Sequence, residues 1–156
     1  MGQYHKFMNF DKKEVCEPPA FRKLMEWSYQ GNEYLLAVEQ LLKTRWKGDR
    51  VLCVGDYVSD YYNYDEFSSI FDEILKENKD YQEDSIYSFP YKEIFEHSKE
   101  GIPSRYIYNH NTKEYIDIKK QPIQWGGVDK EDKTVFGIKI HPLSLLLSCS
   151  NGLGGG

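Results

Sequence analysis

Apolar residues recur at three- and four-residue intervals between Asn32 and Trp46, where Leu35, Leu36, Val38, Leu41 and Leu42 form one stripe. That spacing predicts a helix near 32–46, with Lys43 and Arg45 near its C-terminal end, where the helix dipole favours cations. A second stripe, Phe67, Ile70, Phe71, Ile74 and Leu75, backs onto acidic positions and predicts a surface helix near 65–77. Short β-rich runs predict strands near 2–9, 50–56, 104–109, 114–118 and 134–140, with 104–118 forming a hairpin. Asp11-Lys12-Lys13 and Gly48-Asp49 read as turns. Pro19 is expected to open a helix that runs to Gln30 and breaks at Gly31-Asn32. Pro90 is expected to open another over 91–99, and Leu143–Ser150 fits either a short helix or a buried strand.

Helices and strands mixed in this way predict one α+β domain over residues 1–150, a mainly antiparallel sheet with helices packed on one face. The expected core contains Leu36, Leu41, Val51, Val54, Phe71, Ile107, Ile116 and Ile138. Residues 151–156, Asn-Gly-Leu-Gly-Gly-Gly, read as a flexible tail.

Composition narrows the class. The chain has 156 residues, 40% hydrophobic and 29% charged, enough for one buried core without covalent staples. No apolar run is long enough for a bilayer helix, and the N-terminus lacks the apolar segment of a secretory signal. Cys16, Cys53 and Cys149 are odd in number and widely spaced, unlike a disulfide framework or a zinc clamp. A reducing, cytoplasmic setting without a cofactor is the expectation. Cys149 and His141 lie eight residues apart, but nothing marks them as a nucleophile pair, and buried structural thiols are the reading for Cys53 and Cys149. His5 and His97 read as surface positions of a strand and a helix.

Charge is unevenly placed. Residues 56–84 hold ten acids against Lys76 and Lys79, a net −8, while the whole chain sums to −5 and the remainder is therefore +3. Nucleic-acid binding through a broad basic face is disfavoured, and an acidic surface suits a basic protein partner. Tyr57, Tyr61, Tyr62, Tyr64 and Tyr81 lie among these acids, and tyrosine supplies flat contact area at low entropic cost. Asp60, Tyr61, Asp65, Glu66, Asp72 and Glu73 are the expected contact residues; the plainer alternative is a solvated helix face.

Two chemical alternatives compete. Gly48–Asp60, with Gly55-Asp56 at the end of its strand, resembles the strand-to-loop motif of calcineurin-like metallophosphoesterases. That resemblance implies Asp56 as a metal ligand, with Asp60, His110 and His141 as candidate partners in a small metal-dependent hydrolase. The upstream Asp-x-His of that family is missing, and Gly-Asp is also ordinary turn chemistry at a strand end. The terminal Gly155-Gly156 admits a carrier activated at its last glycine, although the order of elements does not match the β-grasp domains that work this way.

Met1-Gly2-Gln3-Tyr4, Leu24-Met25-Glu26-Trp27, Trp46-x-Gly48-Asp49-Arg50-Val51, Val54-Gly55-Asp56-Tyr57, Tyr108-x-His110, Lys113-Glu114-Tyr115-Ile116-Asp117, Ile140-His141-Pro142-Leu143 and Asn151-Gly152 span nearly the whole chain. Together they resemble a family of small proteins from bacteria and their phages that carries no assigned activity. The resemblance implies an intracellular protein encoded by a phage or mobile element. With no complete catalytic constellation in the sequence, the leading expectation is a non-catalytic inhibitor of a host defence factor, such as a CRISPR effector. It would bind through the acidic, tyrosine-rich surface.

Overall fold

The computed structural model describes residues 4–19, 23–56, 68–81, 85–95, 104–109, 113–120, 123–128, 135–139 and 141–143. Over 24–25, 68–71, 109, 123–128 and 135–139 the description is of backbone. The elements run β1 His5–Asn9, β2 Glu14–Cys16, α1 Leu24–Trp27, α2 Glu33–Lys43, β3 Val51–Gly55, α3 Ser68–Glu77, β4 Lys92–Glu93, β5 Tyr106–Asn109, β6 Glu114–Asp117, β7 Ile123–Val128 and β8 Val135–Lys139. The fold is α+β, as the mixture of periodicities implies.

The central sheet has the order β3-β1-β2-β4. β1 pairs antiparallel with both β2 and β3, and β4 joins β2 in parallel. The β1–β2 turn forms because Asn9 Oδ1 accepts the N–H groups of Asp11 and Lys12 at 3.0 and 2.9 Å, with Lys13 left-handed at φ 52°. Two further antiparallel pairs, β5-β6 and β7-β8, complete the described strands.

All five residues of β1 are buried, so both faces of the sheet are covered. Side chains alternate across a strand. Phe7, Cys16, Val51 and Cys53 therefore face one core with Leu35, Val38 and Leu41 of α2, together with Trp27, Tyr34, Trp46 and Leu143. Met8, Val15, Val54 and Leu52 face the other, with Ile74 of α3, Phe10, Ile86, Phe89 and Tyr91. The helices are thus divided between the faces rather than gathered on one, because a strand buried on both sides needs cover on both.

α2 begins at Asn32, whose side chain accepts from the Tyr34 N–H at 2.9 Å, just after Gly31 at φ 84°. Tyr34 also stitches the sheet. Its hydroxyl donates to the Cys16 carbonyl at 2.6 Å and accepts from the Phe7 N–H at 3.3 Å, bridging β2 and β1.

Several expectations shift. Among the described residues, the helix expected from Pro19 to Gln30 is the four residues of α1, and 28–30 are not helical. The helix expected over 91–99 does not form in its described part. Lys92–Glu93 is instead strand, with the Lys92 N–H on the Lys13 carbonyl and the Ile94 N–H on the Val15 carbonyl. Long-range pairing with β2 overrides the local signal there. His5 is buried in β1 rather than on the surface. Of the expected core, Leu41, Val51 and Val54 are buried, while Leu36, Ile107 and Ile116 are half-buried. The side chains of Phe71 and Ile138, and residues His97, Cys149 and 151–156, lie outside the described set.

Val54 has no exposed surface. Val54→Ala should therefore cost about 1–3 kcal/mol through lost burial and a residual cavity. Leu36→Ala should cost less than Leu41→Ala, which removes a fully buried side chain. Urea midpoints of the three variants check this order.

Candidate functional site

The acidic stretch meets the fold at α3. This helix buries Ile74 and half-buries Leu75, leaving Asp72, Glu73, Lys76 and Glu77 on an exposed outer face. Its C-terminal end is anchored by Asn78, which is buried. The Asn78 amide donates to the Ile74 carbonyl at 2.8 Å, and its Oδ1 accepts from the Tyr91 hydroxyl at 2.9 Å. Asp80 follows in a short 3-10 turn and is exposed.

Arg50, just before β3, clamps the flank of this face. Its guanidinium donates to Glu77 at 2.7 and 3.2 Å, to Glu73 at 3.2 Å and to Asp11 at 2.9 Å, and its backbone N–H donates to Asp11 at 2.7 Å. The Arg50 N–H and guanidinium hold the Asp11 carboxyl below its ordinary range, and the guanidinium does the same for Glu77. Beside it, Asp49 accepts from Asn9 at 2.7 Å and pairs with Lys12, which lowers its carboxyl too. Single exposed pairs of this kind stabilise little. Their consequence is positional, since Glu73 and Glu77 are fixed while Asp72 and Asp80 make no ion pair among the described residues.

The expected contact residues divide accordingly. Asp72 and Glu73 stand exposed on α3, Glu73 already held by Arg50. Asp60, Tyr61, Asp65 and Glu66 lie outside the described residues. The alternative metal set divides as well. Asp56 follows directly on β3, where its Oδ1 accepts from the Tyr4 N–H at 3.2 Å and its own N–H donates to the Tyr4 carbonyl at 3.0 Å. His141 is buried with both ring nitrogens engaged: Nε2 donates to Glu39 Oε1 at 2.5 Å and Nδ1 accepts from the Leu143 N–H at 3.2 Å. Asp60 and His110 are outside the described residues, among which no three His, Cys, Asp or Glu side chains gather so as to hold a metal ion.

Two buried carboxylates were not legible as partners. Glu39 sits on the apolar side of α2, with 6% of its side chain exposed, and takes the Ser104 N–H at 2.7 Å as well as His141. Burial works to raise its carboxyl, but these hydrogen bonds outweigh burial and lower it. Glu14 in β2 accepts from Arg45 Nε at 2.9 and 3.0 Å and from Trp46 Nε1 at 2.8 Å, and the Arg45 contact leads in lowering it. The available signal was an acid placed on an apolar stripe or in a short buried strand, since such acids are almost always partnered.

These shifts set the pH range of the fold. Glu14, Glu39, Asp11, Asp49 and Glu77 titrate below their unfolded values of 3.8 for Asp and 4.5 for Glu. Their contribution is complete above those values and is lost as pH falls through the lower folded ones. On the alkaline side burial pushes Cys16 from 9.0 to about 12, Tyr87 and Tyr91 from 10.0 to about 12, and Tyr34 well above 10.0. Their contribution is complete below pH 9 and is lost as pH rises toward 12. The urea midpoint should be flat between about pH 5 and 9 and fall on both sides. A midpoint still constant at pH 11 would contradict the burial of these groups.

No helix among the described residues is long and apolar enough to cross a membrane. No protein-family model matches the chain, and neither the curated proteins nor the solved structures provide a match.

Proposed function

We propose that this protein is a non-catalytic binding protein whose acidic α3 face meets a basic protein partner. One observation carries the reading: Asp72 and Asp80 stand exposed without an ion pair among the described residues, beside Glu73 and Glu77 that Arg50 holds in place. A face ordered before binding loses less conformational freedom on association. Carboxylates on such a face attract a basic groove over several ångströms and speed encounter.

A nucleic-acid-handling protein presents the matching surface, a positive groove built to track phosphates. The resemblance to bacterial and phage proteins turns this into a specific reading: a phage or mobile-element inhibitor of a cytoplasmic host defence factor. Asp60, Tyr61, Asp65 and Glu66, next to α3 in sequence, belong to the same proposed surface. Among the described residues nothing favours the hydrolase or carrier alternatives.

The test is retention of bacterial lysate proteins on the immobilised protein, followed by mass spectrometry. A basic, nucleic-acid-binding protein is expected at about 0.05 M salt and should be released near 0.5 M, where screening shortens to a few ångströms. Retention that ignores salt would reject an acidic docking face.

A further inference from the structure

The β5-β6 hairpin turns two different faces outward and inward. Tyr108 lies opposite Tyr115 and Tyr106 opposite Asp117, so the three tyrosines share one face. Ile107 and Ile116 share the other, and Ile107 packs against the α2 core. The tyrosines remain open to solvent, Tyr106 51%, Tyr108 46% and Tyr115 66% exposed. Tyr106 and Tyr115 meet edge to face with centroids 5.5 Å apart, and the Arg105 guanidinium lies 5.2 Å from the Tyr106 ring centroid.

Charge on this element runs against the rest of the molecule. Residues 104–120 carry four Lys or Arg against two Asp or Glu, a local +2 in a chain of −5. Asp117 is neutralised by Arg105 at 3.3 Å. Glu114 falls by alternation on the isoleucine side. Lys113 at the tip and Lys119 beyond the base of the hairpin are exposed. The whole-chain charge argues against a broad basic face, but it does not govern a patch of this size.

We propose that the tyrosine face of the β5-β6 hairpin binds single-stranded nucleic acid, its rings stacking on bases and its flanking cations meeting phosphates. Exposed aromatics side by side on a strand pair form a stacking platform, and every base offers a π-face to it. An acidic peptide would use the cations but offers no flat groups to stack on the exposed rings. The site is separate from α3 and does not depend on the acidic-face reading.

The experiment is fluorescence anisotropy of labelled twenty-residue oligo(dT) and oligo(rU), titrated with the full chain at low salt. Saturable binding to either strand is expected, and the tighter of the two identifies the sugar preferred. Tyr106→Ala and Tyr115→Ala should each weaken binding about tenfold, whereas Tyr115→Phe keeps the ring and should stay within about twofold. Lys119→Glu should weaken binding and flatten its salt dependence. These side chains are exposed, and unchanged melting curves would show that the variants still fold. Absence of binding to both strands, unchanged affinity in the two alanine variants, or displacement by polyglutamate at equal concentration would each overturn the proposal; the last would assign the face to an acidic peptide.

Discussion

Glu39→Ala should lower the stability of the protein by about 2–4 kcal/mol, since each buried donor left without its acceptor costs about 1–3 kcal/mol. The Glu39 carboxylate receives His141 Nε2–H and the Ser104 N–H, and only 6% of its side chain is exposed. Alanine would leave both donors buried without that acceptor. The effect reaches across the chain, because the pair ties α2 to residues 102 positions further on. The His141 backbone N–H also donates to the Ser28 carbonyl at 3.1 Å, so His141 is tied both to α2 and to the residue that follows α1. Glu39→Gln keeps one acceptor oxygen and should lose less. A double-mutant cycle of Glu39→Ala with His141→Ala measures the coupling directly by denaturant unfolding. Additive losses would mean that the pair does not act as a unit.

Glu14→Ala should cost about 1–3 kcal/mol, the range for leaving one buried donor without an acceptor. Here the carboxylate is the acceptor for a fully buried indole N–H, that of Trp46, and for the Arg45 guanidinium. Its removal strands the Trp46 N–H inside the core on the α2 side of the sheet. The Trp46 backbone N–H donates to the Leu41 carbonyl at 2.7 Å, so the residue's main chain is tied to the end of α2 while the ring depends on Glu14. Arg45→Ala should cost much less, since its side chain is 46% exposed and water replaces part of the bond. Near-UV circular dichroism reports the Trp46 environment and urea unfolding reports the stability. Equal losses in Glu14→Ala and Arg45→Ala would show that the indole contact contributes nothing.

The elements legible in the sequence are those whose signal is local. The stripe from Leu35 to Leu42 marks α2 to within a few residues, and Val51–Gly55 and the 106–117 hairpin fall where the short β-rich runs place them. Signals that depend on distant partners were silent. β2 is three residues long and gains its identity from pairing with β1, while Lys92–Glu93 becomes strand because β2 stands beside it. Glu14, Glu39 and His141 derive their roles from residues 31 to 102 positions away. The acidic region was legible as charge but not as geometry. Nothing in the spacing of Arg50, Glu73 and Glu77 says that one guanidinium holds two carboxylates while Asp72 and Asp80 remain without an ion pair among the described residues.

That division supplies the most direct test of the central claim, a charged face on α3 that recruits a basic partner. Asp72→Lys combined with Asp80→Lys reverses two exposed acids and leaves the Arg50 clamp intact. The decisive measurement is partner retained from bacterial lysate by this variant and by the original chain at equal loading and low salt. With melting temperature unchanged, the variant should retain on the order of tenfold less. Equal retention by a folded variant would contradict the claim and move the binding surface elsewhere on the molecule.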